Sequence, residues 1–299
     1  MKRISIGSWA YSIGPYQANP VPFDEVIDRV AALGFDGIEL GGFPPHPNPD
    51  ELRSREQRQA VADRVRGAGL EWSGLAANLW GEKLINTDDP GPYIATFQQN
   101  LEFCTDMGIN TIRVDTVQPP TIFSEVDEGT ALQRVVDTWT HCARLAEDRG
   151  ITVVWEFEPG FAFNKPSDIL GIVDDVGRPN FKVLFDTCHA HMVAAVGARQ
   201  PGKKETLAGG ALELAQRLRG NIAHVHVIDS DGTLHDDETS THAPFGDGVI
   251  DFMTLLPELD QNIPADGWWT IDLCFWPDAW AITESCKKSV DVLNAKLNG

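Results

Sequence analysis

Short β-branched and aromatic runs alternate along the chain with amphipathic runs whose apolar residues recur about every 3.6 positions, and the alternation repeats eight times. The strand-like runs are ISIGSWAYS (4–12), FDGIELGG (35–42), LEWSGLAANLW (70–80), NTIRVDTV (110–117), ITVVWEFEPG (151–160), FKVLFDTCHA (181–190), IAHVHVID (222–229) and GWWTIDLCF (267–275). Helical runs follow them, and several stop at a glycine (Gly34, Gly69, Gly108, Gly150, Gly220) just before the next strand, where a left-handed C-cap is expected. Strict βα alternation predicts an α/β fold with a parallel sheet, and eight units with no change of composition between halves predict a single (β/α)8 TIM barrel over residues 1–299. No GxGxxG follows the first strand, so a dinucleotide-binding sheet has no positive sign. The segment 229–249, DSDGTLHDDETSTHAPFGDGV, reads as one long irregular connection.

Composition narrows the function. With 44 acidic against 24 basic residues and a net charge of −20, the chain is a poor partner for nucleic acid, whose phosphates are held by clustered Lys and Arg. No window approaches the roughly 18 uninterrupted apolar residues of a membrane span. The opening MKRISIGSWAYS lacks the long apolar stretch of a signal peptide, so a soluble, cytoplasmic protein is expected, with a homo-oligomer open. Five widely spaced cysteines without a CxxC read as reduced core thiols.

The polar residues collect where a (β/α)8 barrel carries its active site, at the C-terminal strand ends. The fifth strand ends in Glu156 and Glu158, which two-residue periodicity places side by side on one face. The sixth ends in Asp186 and His189, the seventh in His224, His226 and Asp229, and the eighth in Asp272. One strand-end Asp is commonly a helix N-cap or a loop hydrogen-bonder, which fits Asp186-Thr187 and Asp229-Ser230, and one His within HVHV is commonly a core residue. Four neighbouring strands with such ends point instead to carboxylates converging with an imidazole. That donor set suits a hard divalent cation, Mn²⁺ first, with Mg²⁺, Co²⁺ and Zn²⁺ as alternatives. The cation would also relieve the repulsion between clustered carboxylates. Trp9, Trp80, Phe161 and Trp276, near other strand ends, are candidates for substrate walls or for plain core.

The segments WEFEPG, LFDTCHAH, AHVHVIDSDG, WWTIDLCFWP and HAPFGDGVIDF together resemble the sugar phosphate isomerase/epimerase superfamily, the xylose isomerase-like TIM barrel group, over essentially the whole chain. The group includes ketose 3-epimerases, inosose dehydratases and hydroxypyruvate isomerases. The resemblance implies a metal held by Glu156, Asp186, His226 and Asp272, with Glu158 and His189 on substrate hydroxyls; His242 is a further substrate-binding candidate. The resemblance further implies catalysis by Glu156 and Asp272: the first removes a proton next to a carbonyl, the second returns one, giving isomerisation or epimerisation of a ketose, polyol-derived or keto-sugar substrate. Expulsion of a β-substituent from the same intermediate would make the enzyme a dehydratase or lyase on an inosose or 3-keto-glycoside. In one respect the chain departs from the epimerase pattern. Asp272 stands where a longer Glu is usual, which shortens its reach toward substrate carbon. A barrel endonuclease would need more His ligands and a basic groove. A non-catalytic sugar-binding or assembly subunit is a third reading, against which the intact ligand set speaks.

Overall fold

Each predicted strand run contains a strand, and all eight pair in parallel in the hydrogen-bonded order β1, β10, β7, β6, β5, β4, β3, β2. In chain order these are β1 (Arg3–Ile6), β2 (Gly37–Gly42), β3 (Glu71–Ala77), β4 (Thr111–Val114), β5 (Thr152–Glu156), β6 (Phe181–Asp186) and β7 (Ile222–Val227). An antiparallel hairpin, β8 (Asp229–His235) and β9 (Thr239–Ala243), precedes the last barrel strand, β10 (Trp268–Ile271). A parallel bridge between Gly7 and Glu39 links the two ends of the sheet and closes the barrel. The structure, a computed structural model, describes residues 1–298. Gly299, the last position of the expected 1–299 domain, lies outside the described residues.

The helices sit where the periodicity predicts: α1 (Phe23–Ala32), α2 (Arg55–Gly67), α3 (Gly91–Met107), α4 (Glu128–Glu147) and α5 (Pro166–Val176). A short α6 (Thr187–His191) follows β6, and α7 (Gly210–Arg217), α8 (Phe252–Asp260) and α9 (Ala279–Asn298) complete the set among the described residues. Local chemistry fixes their ends. Ser54 and Gln57 form a reciprocal capping box at α2, and Asp127 and Asp251 accept the backbone N–H groups of Thr130 and Thr254 at α4 and α8. All five predicted C-cap glycines have positive φ. Between the helices and the barrel lies an apolar layer. Trp139 of α4, for instance, packs 5.3 Å from Trp155 of β5 and 5.5 Å from Phe181 of β6, and each fully buried ring contributes about 1.5–3 kcal/mol. No helix among the described residues is long and apolar enough to cross a membrane.

Three expectations need correction. Predicted strands 4–12, 70–80, 110–117, 151–160, 181–190 and 267–275 are too long: Ser8–Tyr11 is a 3₁₀ turn, β3, β4, β5 and β10 end at Ala77, Val114, Glu156 and Ile271, and the chain after Asp186 turns into α6. Glu158 therefore stands on the loop beyond β5, not beside Glu156 on the strand. The segment 229–249 is not irregular, because its first two-thirds form the β8–β9 hairpin, with Asp236 and Asp237 at positive φ in the turn.

Candidate metal centre and its cleft

Inside the barrel, residues two apart on one strand share a face, so β7 directs His224 and His226 inward, one above the other. Beside them β10 places Thr270, paired with His226, and then, just past the strand, Asp272. At the upper level Glu156, Asp186, His226 and Asp272 converge, all buried, with one ligand atom from each lying within 4.8 Å of the others. His226 Nδ1 is 3.0 Å from Glu156 Oε1, 3.5 Å from Asp272 Oδ2 and 4.0 Å from Asp186 Oδ2. These are the four residues the resemblance implies as ligands.

The donor set fits a divalent cation by a criterion internal to the structure. Glu156 Oε1, Asp186 Oδ2 and His226 Nδ1 are buried and have no hydrogen-bond partner. Leaving such atoms unpaired costs about 1–3 kcal/mol each, and all three face one point. Their opposite atoms are engaged by the protein. Glu156 Oε2 accepts from Arg113 Nη1 at 2.5 Å; Asp186 Oδ1 accepts the His189 N–H at 2.7 Å; Asp272 Oδ1 accepts Trp9 Nε1–H at 2.9 Å and the Cys274 N–H at 2.8 Å. Asp186 is thus both the N-cap of α6 and a cluster carboxylate. Cys188 and Cys274 supply no nucleophile, since burial pushes both thiols far up.

Two residues that the sequence did not single out complete this arrangement. Glu39 of β2 lies with Oε2 2.6 Å from His224 Nε2 and 3.1 Å from His226 Nε2, while Thr270 Oγ1 lies 3.3 Å from His224 Nε2. Burial opposes its ionisation, but the two imidazoles outweigh burial and hold Glu39 well below the usual carboxylate range. Its one outward sign is an acid in the middle of the apolar run GIELGG. Arg113 at the end of β4 is likewise a cation within TIRV. Burial works against the charge of Glu156, yet Arg113 and then His226 hold its carboxyl down at about 2. His224 and Asp229 follow the plainer readings. The first supports Glu39, and the second accepts the N–H groups of Gly246, Gly248 and Ile250 to shape the loop after β9.

Next to the cluster, but outside it, stand the other expected substrate residues. Glu158 Oε2 lies 3.4 Å from His189 Nε2 and accepts from Thr239 of β9. Ser240 Oγ is 2.8 Å from His189 Nδ1 and fixes the ring. Burial, reinforced by Glu156, pushes Glu158 up to about 7, while burial and His242 press His189 down to about 3. His242 hangs from β9 with neither ring nitrogen in a hydrogen bond but both in ion-pair range, 3.6 Å from Asp272 Oδ1 and 3.9 Å from Asp186 Oδ1. Burial disfavours its charge, but Asp272 and Asp186 hold it at about 9. All three line a cleft of about 430 Å³ together with Trp9, Trp80 and Phe161. Trp276 does not: it packs against the core, and its neighbour Phe275 lines the cleft instead.

Comparison with known proteins follows the same outline. Residues 27–294 match the family model described as xylose isomerase-like TIM barrel. An inosose dehydratase of Bacillus thuringiensis (strain Al Hakam) is 22% identical over 275 residues, covering 84% of this chain and 81% of the relative. A D-tagatose 3-epimerase-like protein superposes with a TM-score of 0.73 at 20% identity over 99% of both chains. The IOLI protein, solved with a bound zinc atom, superposes with a TM-score of 0.72 at 18% identity over 99% of this chain and 97% of its own.

Proposed function

Because this chain belongs to the xylose isomerase-like TIM barrel family, we propose that it is a divalent-metal-dependent enzyme that removes a proton next to the carbonyl of a keto-sugar or inosose and expels a β-substituent, as a dehydratase or lyase does. The names of relatives such as the inosose dehydratases support the substrate class. Glu156, Asp186, His226 and Asp272 would hold the cation, Mn²⁺ or the Zn²⁺ carried by the IOLI protein. When bound, the cation supplies Lewis acidity toward the substrate carbonyl and offsets the negative charge that develops there.

The use of the carboxylate oxygens carries the choice of reaction. One oxygen of Glu156 is taken by Arg113 and the other faces the cluster; one oxygen of Asp272 is taken by Trp9 and Cys274 and the other faces the cluster. Epimerisation with these two residues as bases finds no free oxygen on either. Glu158 and His189 form an adjacent pair, outside the ligand cluster, facing the cleft. In this reading the Glu158 carboxylate takes the α-proton and the C–H electron pair becomes the new C=C bond. The β C–O bond breaks with its pair going to oxygen, and a proton relayed through His189 lets that oxygen depart as water or alcohol. The products are an α,β-unsaturated ketone and the leaving group, with no change of oxidation state overall. Isomerisation or epimerisation, the first expectation from sequence, shares the proton abstraction and differs in returning the proton to carbon.

Incubation of the metal-loaded enzyme with inososes and 3-keto-glucosides in D₂O tests the reading. An unsaturated ketone with released water or alcohol is expected. An inverted sugar carrying deuterium at the α-carbon, with no fragment released, would overturn it in favour of epimerisation.

A further inference from the structure

We infer that the cleft holds, beside the sugar position, a second subsite for a planar apolar group attached to the sugar, so that the substrate is a keto-glycoside with an apolar aglycone and not a bare monosaccharide. This rests on the reaction reading above only in naming the aglycone as the leaving group.

One stretch of the cleft wall is aromatic: Phe43, Trp80 and Phe275 all line it. Trp80, just beyond β3, is 41% exposed, the one aromatic among the exposed large hydrophobic residues of the described chain, and it lines the cleft. Its orientation is nonetheless fixed: Nε1–H donates to Asp115 Oδ2 at 3.0 Å, and the ring packs on Phe43 with centroids 5.3 Å apart. A fixed indole that lines a cleft can offer its exposed face to a planar ligand group. Phe43 in turn lies against Gly41, where a Cβ would meet the ring at 2.9 Å. Phe275 is pinned the same way, against Gly14, where a Cβ would come within 2.5 Å, and by a parallel stack with His235 of the hairpin at 4.8 Å.

Position separates this wall from the sugar site. Trp9 already serves the cluster, through its bond to Asp272 and its contact with the His226 ring at 5.5 Å. The Arg113 guanidinium lies between Glu156 and Trp80, 2.5 Å from the carboxylate and 5.7 Å from the indole centroid. A sugar carbonyl held at the cluster therefore leaves Trp80, Phe43 and Phe275 to whatever the sugar carries. The cleft, at about 430 Å³, falls within the range of pockets that enclose drug-sized ligands.

Two comparisons test this on the metal-loaded protein. Methyl and 2-phenylethyl 3-keto-glucosides release alcohols of near-equal acidity, so their kcat/KM ratio reports the subsite. Calorimetric binding of the unreactive methyl and 2-phenylethyl glucosides reports it without turnover. The phenylethyl compound is expected to be favoured at least about tenfold in both, the equivalent of covering one aromatic face. The ratio should fall toward one in Trp80→Ala and recover in Trp80→Phe. Equal treatment of the two compounds by the unaltered protein, or a ratio unmoved by Trp80→Ala, overturns the subsite. Absence of turnover with a Trp80-dependent binding preference would overturn the reaction reading and leave the subsite standing.

Discussion

Glu39 Oε2 lies 3.1 Å from His226 Nε2, and this contact across the barrel turns the other ring nitrogen, Nδ1, toward Glu156, Asp186 and Asp272. A carboxylate behind a histidine fixes the ring and makes its free nitrogen a better donor to a metal. Glu39→Gln keeps the shape and all four ligands, yet should weaken divalent-metal affinity about 10–100-fold. Competition against a chelator of known affinity measures it; unchanged affinity would remove Glu39 from the metal site.

Metal uptake should release protons. Burial and then Asp272 push the Asp186 carboxyl up, while Asp272 and Asp186 keep His242 protonated despite its burial. A cation in the cluster favours the charged form of the first and repels that of the second, so affinity should drop as pH falls. Calorimetry in buffers of different ionisation enthalpy should give release of about one proton or more per metal at neutral pH.

His46, which belongs to neither the cluster nor the cleft lining, is buried with Nε2 3.1 Å from the Val21 carbonyl, and burial lowers its pKa below the ordinary 6.5. The unfolded chain therefore takes up a proton at a pH where the folded chain does not. Stability present at neutral pH is lost as pH falls below about 6.5 and continues to fall until the folded-state pKa is reached. His46→Gln should flatten this dependence in denaturant titrations of the metal-free protein between pH 5 and 7.5. An unchanged slope would show that His46 does not carry it.

The loop after β9 depends on Asp229, whose carboxylate accepts three backbone N–H groups there, and a Cβ on Gly248 would lie 2.3 Å from its Oδ1. Gly248→Ala should break this cap at a cost of about 1–3 kcal/mol in thermal or denaturant stability. Loss of less than a few tenths of a kcal/mol would mean that the loop is held some other way.

Much of this centre was legible in the chain because it obeys short-range periodicity. Eight strand runs and their polar C-terminal ends are local patterns, and the implied ligands Glu156, Asp186, His226 and Asp272 do meet. Glu39 was not legible, because its partners lie 185 and 187 positions away and only barrel closure joins them. Arg113 reads as any strand residue in the sequence, because only the pairing of β4 with β5 brings it to Glu156. The hairpin is illegible for a different reason: its strands are polar and pack no continuous apolar face, so alternation gives no signal. The turn after β10 sends Phe275, at positive φ, into the cleft and Trp276 against the core, a one-position difference that strand periodicity does not reveal.

In the proposed reaction the carboxylates of one short segment divide the work, Glu156 holding metal and Glu158 moving the proton. Metal content and turnover of Glu158→Gln, measured on the same preparation, test it most directly. A full complement of metal is expected, with turnover reduced about 10²–10⁴-fold. Full metal content with turnover near that of the unaltered enzyme would contradict it.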